Sequence, residues 1–117
     1  MADHTKLTVW HRSLRLSIDM HRSAHLIDTR AAPGLSAQLL RCVAAIPANI
    51  AEGAGQESPA QNARFLSIAI ASTNEAQNHL AFAMGLGMLL AEGPTYDQEL
   101  LELRRMLIAL RRRVRGS

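Results

Sequence analysis

The chain has 117 residues, of which 48% are apolar and only 3% aromatic, and its formal net charge at pH 7 is +3. A chain of this length forms one hydrophobic core and excludes a second, so residues 1–117 are predicted to be a single domain. The scarcity of aromatic residues and the lack of sustained apolar–polar alternation argue against β-sheet. They favour an all-α protein packed through alanine, leucine, isoleucine and methionine.

The first predicted helix begins at Thr5 or Lys6 and runs to about Thr29. At 100° per residue, one arc of its surface carries Leu7, Trp10, Leu14, Ile18, His21 and His25. An adjoining arc carries Val9, Leu16, Met20 and Ile27. The two arcs together span about 200°, which is wider than the apolar stripe of one bundle core. We therefore expect part of this surface to contact another subunit.

Proline and glycine set the limits of the second helix. It follows the break at Pro33-Gly34, is predicted to be kinked by the internal Pro47, and ends at Gly53 and Gly55. Its apolar face repeats with helical spacing from Leu35 to Ile50.

Two capping boxes predict the starts of the third and fourth helices. Ser58 followed by Pro59 and Gln61 opens helix 3, and Thr95 with Gln98 is predicted to open helix 4. Along helix 4, apolar residues recur every three or four positions, as in a left-handed bundle seam: Leu100, Leu103, Leu107, Leu110 and Val114. Short connections then predict an antiparallel, up-down four-helix bundle.

The compartment is indicated by the single cysteine and by the absence of targeting signals. Cys42 alone excludes an internal disulfide and fits a reducing environment. The N-terminal residues lack the layout of a signal peptide, and the longest apolar run, residues 80–91, is too short to span a membrane. These features predict a cytoplasmic protein.

A line of polar residues on helix 2 lies beside its apolar face. Arg41, Asn49 and Glu52 share this line, and Glu75 takes a similar position on helix 3. Because an unpaired buried charge is costly, we predict a polar seam in which Arg41 pairs with Glu52 or Glu75 and Asn49 bridges them. Such a seam fixes helix register or a subunit interface. An active-site cluster is the alternative, but no motif indicates a nucleophile, and no catalytic residue is predicted.

The segment around this line resembles a known family. Residues 41–53 read Arg-Cys-Val-Ala-Ala-Ile-Pro-Ala-Asn-Ile-Ala-Glu-Gly. This run resembles the hallmark segment of bacterial four-helix-bundle proteins encoded in intervening sequences of large-subunit ribosomal RNA genes. The accessory variability determinants of diversity-generating retroelements belong to the same group. The resemblance extends over nearly the whole chain, through Val9-Trp10, Phe65-Leu66, Ile68-Ala69, Ser72, Asn74-Glu75 and Leu86-Gly87.

The resemblance implies a cyclic homopentamer of four-helix bundles, with no catalysis and no cofactor. In the retroelement members it implies nucleic-acid binding through basic surfaces, and a reverse transcriptase is a possible protein partner. The chain departs from the family pattern at Leu40, where a basic residue is frequent, and after Gly53, where residues 54–57 read Ala-Gly-Gln-Glu. These departures remove positive charge from the end of helix 2, so an anion-binding surface must depend on other arginines.

The distribution of charge points to helix 4 as that surface. From Arg104 onward the chain has six arginines and no acid, whereas residues 1–103 have seven basic and ten acidic groups. The predicted nucleic-acid contacts are Arg104, Arg105, Arg111, Arg112, Arg113 and Arg115 on helix 4 and Arg12, Arg15 and Arg22 on helix 1. They are predicted to bind the RNA or DNA backbone. Two alternatives remain: a solvated helix end favoured by the helix dipole, or a structural oligomer with an acidic protein partner.

Metal binding is the weakest signal in the sequence. His21 and His25 have the i, i+4 spacing that can grip zinc, but neither a following glutamate nor a third ligand is evident. Packing of the two histidines at an interface is the favoured interpretation. Cys42 is interpreted as a small buried hydrophobic residue. No metal site is predicted.

Overall fold

The computed structural model describes residues 2–24, 30, 32–88 and 92–116. Four α-helices account for most of them: α1 (Thr8–Arg22), α2 (Leu35–Ala54), α3 (Pro59–Gly85) and α4 (Gly93–Arg115). A short 3₁₀ helix at His4–Lys6 precedes α1. The described ranges contain no β-strand, so the prediction of an all-α protein is confirmed.

The helices pack side by side in a body measuring 47 × 21 × 20 Å. Both α2 and α4 contact α1 and α3, which places α1 and α3 at diagonal corners. Successive helices are antiparallel: Gly53 near the end of α2 meets Asn62 near the start of α3, and Arg111 near the end of α4 reaches Ser67. None of the described helices is long and apolar enough to cross a membrane.

The core consists of aliphatic side chains from all four helices. The members that are completely buried on α2, α3 and α4 include Leu39, Val43, Ile46, Ile50, Ala69, Ala76, Leu80, Leu100, Leu103 and Leu107. The α1 helix contributes mainly one of its two apolar arcs, through Val9, Leu16 and Met20, while Trp10 of the other arc packs half-buried against the core. On the other arc Leu14 is half-buried and Ile18 is 41% exposed. A single chain therefore leaves a spare apolar face on α1.

The helix boundaries confirm one capping prediction and correct another. Ser58 Oγ accepts a hydrogen bond from the backbone N–H of Gln61 at 3.1 Å, as predicted for the start of α3. Thr95, by contrast, lies inside the first turn of α4, which begins at Gly93. The prediction for Thr95 was wrong because Pro94 has the fixed φ of a first helical turn and carries the start of the helix upstream.

Two further boundaries concern α1 and α2. The α1 helix begins at Thr8 and ends at Arg22, with Ser23 as its C-cap. The predicted continuation through His25 to Thr29 lies outside the described residues. The α2 helix runs through Pro47, which is buried against the core, and ends at Ala54.

Candidate nucleic-acid interface

The predicted polar seam does not form within the chain. Arg41, Glu52 and Glu75 are exposed, and no ion pair joins them in the part of the chain that the structure describes. Asn49 is half-buried, and its amide donates to the backbone oxygen of Ala45 at 2.8 Å instead of bridging charges. The pairing was wrong because the line lies just outside the core boundary, where water solvates each charge. A role of these residues at a subunit interface stays a prediction.

Glu75 contacts Cys42. The Cys42 thiol donates to Glu75 Oε2 at 3.5 Å across the α2–α3 contact. Partial burial, and then the hydrogen bond to Glu75, raise the pKa of Cys42 to about 11. Cys42 is half-buried and packs against the core, so its interpretation as a small buried hydrophobic residue is confirmed in part.

Arg12 lies in an ion pair between helices. Its guanidinium donates two hydrogen bonds to the Glu99 carboxylate, from Nε at 3.0 Å and from Nη2 at 2.8 Å. These bonds raise the pKa of Arg12 above its ordinary value. A bidentate pair of this kind uses the planar donor face that a phosphate would need. The structure therefore gives Arg12 a part in α1–α4 packing, while its role as a nucleic-acid contact stays a prediction.

Three arginines of helix 4 follow the groove between α3 and α4. Arg104 Nη1 lies 3.5 Å from Asn74 Oδ1, and its Nε is buried without a partner. Arg111 donates to Ser67 Oγ at 3.1 Å. Arg115 lies farther along the same groove, beside Arg64. The three side chains thus line one groove, in which Arg104 and Arg111 are half-buried and Arg115, at the far end, is exposed.

A group of exposed cations lies where α4 ends. An open cleft of about 790 Å³ between the 3₁₀ helix and α4 is lined by Lys6, Arg112 and Arg113. On the other side of α4, Arg64 and Arg115 line a second cleft with the first turn of α3. We call these five exposed residues the basic end: Lys6, Arg64, Arg112, Arg113 and Arg115. Cations from three segments of the chain therefore surround one end of the bundle.

Few acids oppose this charge. Glu57 borders a small cleft beside Val114. Asp3 caps the 3₁₀ helix by accepting hydrogen bonds from the hydroxyl and the backbone N–H of Thr5, at 2.6 and 3.0 Å. These bonds hold the pKa of Asp3 below its ordinary value, so its carboxylate is ionised and occupied at neutral pH. The basic end keeps a net positive charge of about three, counting five cations against these two acids.

The remaining predicted contacts lie outside the basic end. Arg15 and Arg22 are exposed on α1, toward its C-terminal half. Arg105 is exposed and lies 3.7 Å from the Glu102 carboxylate, one turn earlier on α4. An exposed pair at this distance contributes little to stability, so Arg105 remains available to an anion.

Sequence reasoning missed Lys6 and Arg64. Each is a single cation in an otherwise uncharged stretch, and no run of charge marks it. Arg64 lies over the ring of its neighbour Phe65, at 5.4 Å from Cζ to the ring centre, which favours one orientation of its side chain. Both join the basic end only because the 3₁₀ helix and the N-terminal part of α3 lie beside the last turns of α4.

The comparison with known proteins gives one result. A family model described as "23S rRNA-intervening sequence protein" matches residues 5–109. No curated protein matches the chain significantly. The matched range includes Lys6 and Arg64 but stops before the last four arginines, so the family match alone does not account for the whole basic end.

Proposed function

Because the chain belongs to the 23S rRNA-intervening sequence protein family, we propose that it is a non-enzymatic, cytoplasmic homo-oligomer, a pentamer, that binds the nucleic-acid backbone. The observation that carries the proposal is the basic end, where five cations from three segments lie exposed together. The family description concerns a ribosomal RNA gene and favours RNA as the ligand.

The composition of the basic end favours phosphate contacts over base reading. Its cationic side chains are four arginines and one lysine, whose guanidinium and ammonium groups suit phosphate oxygens. Stacking of unpaired bases requires exposed aromatic rings, and Phe65 beside Arg64, like Trp10 on α1, is half-buried. Binding of this kind is independent of sequence and depends strongly on salt.

The binding test uses the parent protein and a labelled single-stranded RNA of about 30 nucleotides. Anisotropy titrations from about 20 mM to about 150 mM salt are expected to give a log–log slope of roughly −0.7 for each neutralised phosphate. A second RNA of unrelated sequence should bind equally well. If neither RNA nor duplex DNA binds at the lowest salt, the nucleic-acid function is wrong and the acidic-protein partner becomes the better interpretation.

Two exposed apolar patches support the oligomer. The α1 patch is the spare face formed by Leu14 and Ile18. The α3 stripe contains Ile68, Phe82 and Leu86, which are 38%, 57% and 46% exposed. Closed rings larger than dimers use head-to-tail contacts, in which two different surfaces of each subunit meet. We propose that the α1 patch of one subunit packs on the α3 stripe of the next.

Light scattering tests the assembly. The purified protein is expected to have about five times the chain mass of 12.8 kDa. Ile18→Glu and Phe82→Glu should each give monomers, because each places a charge in one of the two surfaces. An equimolar mixture of the variants should give a dimer, since each retains the surface that the other lacks. A monomeric parent would contradict the oligomer, and no dimer in the mixture would contradict the head-to-tail contact.

A further inference from the structure

Three potential metal ligands meet on the outer side of the α2–α3 contact. Cys42 belongs to α2, and Glu75 and His79 lie one turn apart on α3. The Cys42 sulfur, a carboxylate oxygen of Glu75 and a ring nitrogen of His79 all lie within 4.8 Å of one another. Cys42 and His79 are half-buried, and Glu75 is exposed.

Rigid packing holds the three side chains in this arrangement. Directly beneath them, Val43, Ala76 and Leu80 are completely buried in the core. The i, i+4 spacing of Glu75 and His79 places both side chains on one face of α3. The ligands therefore come from two helices whose relative position is fixed by the core. Because the three side chains are already held close together, metal binding has to order them less.

We propose that Cys42, Glu75 and His79 form a zinc site with one position left for water. Tetrahedral zinc has bonds of about 2.3 Å to sulfur and about 2.0 Å to oxygen, which separates two such ligands by about 3.5 Å. Cys42 Sγ and Glu75 Oε2 are already 3.5 Å apart. A rotation of the His79 side chain would bring one of its ring nitrogens to the same ion as the third ligand.

The ligand types select the metal. A thiolate with an imidazole favours zinc and its neighbours over magnesium and calcium, which prefer oxygen ligands. The thiol must release its proton as it binds the ion. All three ligands come from one chain, so the site does not depend on the proposed RNA binding.

Cobalt is the direct probe for this site. The full-length protein, cleared of metal with a chelator and kept reduced without thiols, is titrated with Co²⁺. We expect one ion per chain, a thiolate-to-cobalt charge-transfer band, and the visible bands of a tetrahedral ion. Equimolar Zn²⁺ should bleach these bands, because zinc prefers the tetrahedral site more strongly. Zinc should also raise the melting temperature of the parent.

Cys42→Ser and His79→Gln should each weaken binding by about 100-fold or more, since loss of a supporting residue alone costs 10–100-fold. Both should keep the helical circular dichroism of the parent, because neither position is fully buried. His21→Gln is the matched control: this exposed histidine belongs to α1, outside the two helices that carry the site, and the substitution should leave the bands intact. No charge-transfer band in the parent, an unchanged band in His79→Gln, or equal loss in His21→Gln would overturn the proposal.

Discussion

Gly53→Val is expected to destabilise the protein by about 3 kcal/mol, at the upper end of the usual cost of overpacking. A β-carbon at position 53 would lie 2.8 Å from Asn62 Oδ1, 3.0 Å from Phe65 Cβ and 3.1 Å from the backbone oxygen of Asn62. The Asn62 side chain can rotate away, but the other two atoms belong to the first turns of α3. Accommodating valine therefore requires α2 and α3 to separate. Urea unfolding at one fixed chain concentration should show a midpoint lower by roughly 1–2 M.

Gly55→Ala is the matched control for this effect. It lies two residues later, and an added β-carbon would meet only the backbone oxygens of Glu52 and Ala51, at 3.6 and 3.7 Å. Its φ of −79° suits alanine, so this variant should be stabilised by about 0.5 kcal/mol through the loss of unfolded-state freedom. Equal effects of the two substitutions would contradict the close approach of α2 and α3 at Gly53.

The elements of this fold were largely readable from the sequence because their signals are local. The N-cap at Ser58 is confirmed, since its hydroxyl accepts the backbone N–H of Gln61 three residues later and Pro59 has no N–H to satisfy. The similar signal at Thr95 failed because Pro94 competes for the same helix start. Pro94 and Thr95 are adjacent and each can mark a helix start. Which of them does so depends on the surrounding structure, and the sequence alone does not show it.

The candidate sites were harder to predict because they depend on the register between helices. Helical spacing aligned Arg41 and Glu52 correctly with each other, but it did not show that the line lies outside the core boundary. The meeting of Cys42 with Glu75 and His79 depends on how far α2 slides along α3, and the close approach at Gly53 fixes that position. Likewise, the sequence does not show that Glu99 of α4 lies opposite Arg12 and forms an ion pair with it.

The last prediction concerns how arginine substitutions in the basic end change the affinity for RNA and its salt dependence. The triple substitution Arg112→Gln, Arg113→Gln and Arg115→Gln removes three cations of the basic end from each subunit. If each contacts one phosphate, the log–log salt slope should lose roughly 2 units in magnitude, and affinity at 0.1 M salt should fall about 100-fold. Assembly should be unchanged, because these residues are exposed and lie outside the α1 patch and the α3 stripe. Anisotropy titration with the same RNA measures both effects.

A second triple variant separates a localised site from a general effect of charge. Arg15→Gln, Arg22→Gln and Arg41→Gln also remove three exposed arginines, so the net charge changes equally, but all three lie away from the basic end. Long-range attraction responds to net charge and would fall similarly in both variants. If RNA binds at the basic end and not through the contacts predicted for Arg15 and Arg22, this second variant should keep most of the affinity and nearly all of the salt slope. Equal losses in the two variants would mean that RNA does not bind at the end of α4.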